Sequence, residues 1–179
     1  MGFPYSSGDV LTAADLNASS GVVLVKTQTV GSGVSSVTVT DAFSATFDAY
    51  KIVYTGGTLS TQTDFALVLN NSATQYYQFM ILGAYGTSTV AGAGTSNTTK
   101  WNWAGGGNPS GAVISVDVFN PYLAKYTYFT NSGFYNSEVE TGFTSGVNKS
   151  TNSHTAFTIN PGSGTMTGGN IRVYGYNNG

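Results

Sequence analysis

The chain has 179 residues, which fits one domain and is long enough to bury about 70% of its extended surface. Only 8% of residues are charged and the net charge is −2, while Ser, Thr, Asn and Gly supply 84 residues, so uncharged groups carry the polarity. The six basic residues, Lys26, Lys51, Lys100, Lys125, Lys149 and Arg172, are too scattered to neutralise a row of phosphates, and no cysteine is present; nucleic-acid binding, disulfide frameworks and thiol catalysis are excluded.

In chain order, residues 1–21 read differently from the rest. Thr12 can cap a turn with Asp15 three positions on, and Ala13, Ala14 and Leu16 favour about one helical turn. Val10, Leu11 and Leu16 form a small apolar stud that has to dock on something, and Ser19-Ser20-Gly21 reads as a hinge. From residue 22 onward strand candidates follow one another at 22–30, 34–40, 50–54, 64–70, 76–82, 101–103, 112–119, 123–129, 134–139, 155–159 and 170–176. In 76–82, Tyr77, Phe79 and Ile81 fall opposite Tyr76, Gln78 and Met80. Residues 90–99, rich in Gly, Ala and Ser, read as a loop, and Gly105-Gly106-Gly107 reads as a strand terminator. The four prolines fall between the runs.

About ten strands without crossover helices predict an all-β fold: an antiparallel β-sandwich or jelly roll over 22–179, with a short N-terminal arm over 1–21. At 40% hydrophobic and 13% aromatic, the chain has enough apolar surface to fold. Several strands, such as 112–119, are apolar on both faces, so a loop, the arm or another subunit is expected to cover the second face. The longest apolar run at the N-terminus is four residues, 22–25, and no basic region precedes it; neither a signal peptide nor membrane insertion is expected.

The phrase Gly8-Asp9-Val10-Leu11-Thr12-Ala13-Ala14-Asp15-Leu16-Asn17 resembles the attachment peptide at the N-terminus of many tailed-bacteriophage fibre and appendage proteins. The stretch Phe43 to Tyr54 and the closing Ile171-Arg172-Val173-Tyr174-Gly175-Tyr176 resemble the small jelly-roll bodies of phage virion proteins. The resemblance implies a particle-anchored structural protein, a homotrimer that contacts other virion proteins at the tail or the capsid. It implies either a short tail fibre that touches host-surface glycans or a cement protein that clamps the head. The chain lacks the coiled-coil shaft of a long fibre.

Candidate sites are few. His154 lies in a polar loop where a solvated histidine is the plain expectation, and no nucleophile phrase accompanies it. Glu138 and Glu140 share a face on an extended strand, a spacing compatible with glycoside hydrolysis or calcium but more simply a surface pair. Asp41 and Asp48 read as turn residues. Trp101, Asn102 and Trp103 are the candidate glycan contact, since exposed indoles stack on sugars; burial of both indoles in the core is the competing reading. Asn17, Asn70, Asn97 and Asn148 head Asn-x-Ser/Thr sequons that composition alone supplies. A free carbohydrate-binding module is a further alternative. No enzyme activity, no metal and no cofactor are expected.

Overall fold

The computed structural model describes residues 10, 12, 21–135 and 140–178. The expected helical turn, Leu11 and Leu16 lie outside them, while Val10 is described and exposed. The described residues form twelve strands, all antiparallel: β1 (Val22–Thr29), β2 (Val37–Val39), β3 (Ala49–Leu59), β4 (Thr63–Leu69), β5 (Tyr76–Ala84) and β6 (Val90–Thr98), then β7 (Trp101–Asn108), β8 (Gly111–Phe119), β9 (Thr127–Tyr135), β10 (Glu140–Asn148), β11 (Phe157–Pro161) and β12 (Met166–Tyr176). Among the described residues no helix is long and apolar enough to cross a membrane.

The strand β8 is where the sheet forks. One of its edges pairs with β3 from Phe119 back to Ala112. The other is divided: Gly111 to Ile114 pair with β7, and Val116 to Phe119 pair with β9. One arm therefore runs β1-β12-β3-β8-β9-β10-β5-β6 and the other runs β2-β11-β4-β7-β8. Together they form an antiparallel sandwich, because the shorter arm folds over the inner face of the longer one. Tyr54 of β3 meets Phe65 of β4 edge-on at 5.6 Å, and Trp101 of β7 meets Phe129 of β9 at 4.7 Å. Inward residues alternate along each strand, as in Ile114, Val116 and Val118 of β8, all fully buried. The expected second cover on β8 is partial: Val113, Ser115 and Asp117 on its other face are half-buried.

Glycine explains most departures from the expected elements. The 90–99 stretch is a strand, because Phe79 of β5 lies over Gly92 and Gly94; a Cβ at Gly92 would come within 2.9 Å of that ring. Likewise β7 continues through Gly105-Gly106-Gly107 to Asn108. Gly105 has φ 151°, and there the pairing with β4 shifts register between Phe65 and Leu67, opposite Gly105 and Trp101. That bulge lets the start of β7 leave β8 and lie over β9 and β5. Residues 140–148, Glu-Thr-Gly-Phe-Thr-Ser-Gly-Val-Asn, form a strand with too few apolar positions to be read as one. The expected 123–129 strand begins only at Thr127, and Pro161 ends β11 rather than lying outside it.

Candidate functional site: an exposed aromatic sheet face

The outer end of the long arm, strands β9, β10, β5 and β6, carries the most distinctive surface. In its register Val147 of β10 lies between Tyr77 and Tyr128, Ser145 between Phe79 and Thr130, and Phe143 between Ile81 and Ser132. Thr141 lies between Gly83 and Phe134 in the same way, and Val90 of β6 pairs with Gly83. All these side chains point to one face, since residues two apart on a strand share a side. Phe79 is 54% exposed, Ile81 50%, and Phe134 and Phe143 each 48%, with Tyr128 and Tyr85 similar.

Half-exposed aromatics of about 200 Å² each leave roughly 500 Å² of apolar surface in water, in the range of the largest patches on monomeric proteins. Covering that area would release on the order of 10 kcal/mol gross, comparable to the entropic cost of association. Among the rings stand Val147, Ile81 and the hydroxyl residues Thr130, Ser132, Thr141 and Ser145. The ammonium of Lys149 sits 4.1 Å from the Tyr77 ring centroid at the rim, a cation–π contact. Two shallow clefts interrupt the face. One, of about 480 Å³, is lined by Tyr77, Phe79, Tyr128, Thr130, Ser145 and Val147. The other, of about 420 Å³, lies between Tyr85, Phe134 and the glycine-rich hairpin of β7 and β8.

The opposite face of β9, β10 and β5 is buried. Trp101 is fully buried, stacked on Phe129 at 18° and meeting the Tyr76 ring edge-on at 5.1 Å. This corrects the expected glycan contact at Trp101: its ring is fully buried against aromatic neighbours and offers a sugar no surface. Asn102 and Trp103 are half-buried. The Asn102 amide donates to Gln78 Oε1 at 3.0 Å, and the Trp103 carbonyl accepts from Asn131 Nδ2 at 3.3 Å, so both are tied to the strands beneath.

His154 is also corrected: it is fully buried, not solvated. Its Nδ1 bonds the Asn70 carbonyl, which can only accept, so Nδ1 carries the proton and Nε2 has no partner. Burial pushes its pKa below the usual 6.5, against the smaller opposing effect of the Asn70 bond. Asn70 organises the same loop junction, its Oδ1 accepting from the Thr155 and Ala156 amides at 3.0 Å each. Asn148, another sequon residue, is fully buried and donates to Ser72 Oγ at 2.8 Å and to the Thr74 carbonyl at 3.1 Å. Both asparagines are structural.

Among the described residues the carboxylates do not converge. Glu138 lies outside the described residues, and Glu140 opens β10 opposite Tyr135 and Ala84. Asp41 stands 3.8 Å from Lys26 as an exposed ion pair of small worth. Asp117, not singled out by the sequence, has two partners: Lys51 Nζ lies 3.0 Å from it and the Tyr176 hydroxyl donates to it. Burial, with that bond and the Asp117 charge, pushes Tyr176 up to about 12. Among the described residues no group of three or more His, Asp or Glu could hold a metal ion. No family model matches the chain, and no curated protein or solved structure is significantly similar to it.

Proposed function

We propose that this chain is a non-enzymatic structural protein of a tailed-bacteriophage particle, a short tail appendage that contributes to host-surface attachment. Its β-sandwich associates with copies of itself, three being the number the phage-body likeness implies. Residues 1–21 anchor it to other virion proteins through Val10, Leu11 and Leu16. The observation that carries this reading is the aromatic face of β9, β10, β5 and β6, an apolar surface of the size that protein contacts cover. The attachment-peptide phrase supports the particle setting.

A second reading, a cement protein on the capsid, is favoured by one feature of the same face. Its apolar residues spread along four strands, from Tyr128 to Val90, as a clamp between neighbouring subunits requires, and are not gathered at a tip. Electron microscopy of particles carrying a tagged copy of this chain separates the two. Density at the tail or baseplate supports the appendage, density on the head lattice supports cement, and absence from purified particles overturns both.

A further inference from the structure

The aromatic face changes character along its strands. At one end Ile81, Phe143 and Phe134 carry no polar side-chain atom; at the other the rings are Tyr77 and Tyr128. The tyrosine end holds the cleft of about 480 Å³, within the roughly 300–1,000 Å³ of small-molecule sites. Tyr77 and Tyr128 flank Val147 across three adjacent strands, so their Cα atoms stand roughly 10 Å apart. A six-membered ring seated over Val147 and touching both tyrosines needs about 8 Å, two van der Waals separations. The next row on this face is Thr130, Ser145 and Phe79, which sets two hydroxyls beside the rings. One charge reaches the cleft: the exposed Lys149, whose ammonium hangs 4.1 Å from the Tyr77 ring centroid. Among the described residues Lys26 and Lys51 have carboxylate partners, whereas Lys149 has none. The neighbouring carboxylate, Asp117 opposite Thr130, is taken by Lys51 at 3.0 Å.

We propose that this cleft binds a saccharide bearing a carboxylate, of the uronic or sialic acid class. The sugar ring lies against Tyr77 and Tyr128, its hydroxyls meet Thr130 and Ser145, and its carboxylate meets Lys149. Each feature selects against another occupant. A sugar offers an apolar C–H face to the rings and, at its rim, hydroxyls that both donate and accept, as those of Thr130 and Ser145 do. An apolar peptide side chain would take water from those two hydroxyls and give no bond in return. The uncompensated ammonium calls for an anion, because a charge-assisted hydrogen bond is about twice as strong as a neutral one. A bare anion would leave the rings uncovered. Such binding rests on the host-attachment reading for its purpose, and it leaves Ile81, Phe143 and Phe134 to protein contact.

Nuclear magnetic resonance titration of the full chain tests it, with tetragalacturonate, a hyaluronan tetrasaccharide and a sialic acid trimer as probes. The methyl ester of each probe and inorganic phosphate are the controls. At least one acid should give saturable shifts centred on Tyr77, Tyr128, Ser145 and Lys149. Its ester, the same rings without the charge, should bind about tenfold more weakly. Lys149→Met should erase that difference, Lys149→Arg should keep it, and Tyr128→Ala should weaken acid and ester alike, all with β-type circular dichroism. No saturable shift with any of the three acids, an ester that binds as tightly as its acid, or shifts away from the cleft overturns the proposal. Phosphate that binds as tightly as the acid overturns it too, since the site would then be one for bare anions. Because the titration uses the isolated chain, absence of the protein from purified particles would sink the host-attachment reading and leave this result standing.

Discussion

Trp101 and Phe129 stack with ring centroids 4.7 Å apart, and this contact ties the short arm of the sandwich to the strands whose other face is aromatic and exposed. It makes Trp101 the keystone of the outer half. Trp101→Ala should cost about 3–5 kcal/mol, the range for removing a buried aromatic. Trp103→Ala, at a half-buried position, should cost clearly less. Urea unfolding of both variants checks this, and equal costs would contradict the division of roles.

His154 sets a pH dependence with a definite sign. Its folded pKa lies below the unfolded 6.5 because burial disfavours the imidazolium. The unfolded chain therefore binds the proton first as pH falls. Stability is full above 6.5, declines below it, and this contribution stops changing once pH passes below the folded value. His154→Gln keeps a donor for the Asn70 carbonyl and removes the titration. Thermal unfolding of both proteins from pH 7.5 to 5 should show a slope in the parent that the variant lacks.

Asp117 holds the Tyr176 hydroxyl, whose pKa is raised to about 12 by burial first and by Asp117 second. Asp117→Asn removes the charge and should bring the tyrosine back toward 10 without reaching it, because the burial persists. Ultraviolet titration of phenolate absorbance reads the shift. A titration identical to the parent would show that Asp117 has no hold on Tyr176.

A chain starting at Gly21 should keep its β-type circular dichroism and lose incorporation into particles. Among the described residues the core runs from Val30 to Val173, within the strands and loops after the arm. Aggregation of the shortened chain would show instead that residues 1–20 belong to the fold.

Strands with period-two patterns were legible in the sequence. β4, β5 and β8 lie close to their expected bounds because alternation of large apolar residues survives without knowledge of the neighbours. β6 and β10 were not legible. The glycine-rich 90–99 stretch read as a loop, and only the partner ring of Phe79 shows why glycine is needed at 92 and 94; 140–148 has too few apolar positions to show a period. The alternation in 76–82 separated Tyr77, Phe79 and Ile81 from Tyr76, Gln78 and Met80, but which set faces water depends on β7 crossing over the second set. That crossing rests on the bulge at Gly105, which no local pattern announces. His154 and Asn70 escaped for a similar reason: their contacts span 84 residues.

The aromatic face is the account's central claim, and the mass of the chain in solution tests it most directly. Light scattering at low micromolar concentration should give a multiple of 18.6 kDa, with three copies as the number implied by the phage-body likeness. Ile81→Ser together with Phe143→Ser, neighbours across β5 and β10 on that face, should reduce the mass to that of fewer copies and leave the unfolding midpoint nearly unchanged. A parent protein that is a well-behaved 18.6 kDa monomer, or a double variant whose mass equals that of an oligomeric parent, would contradict the claim.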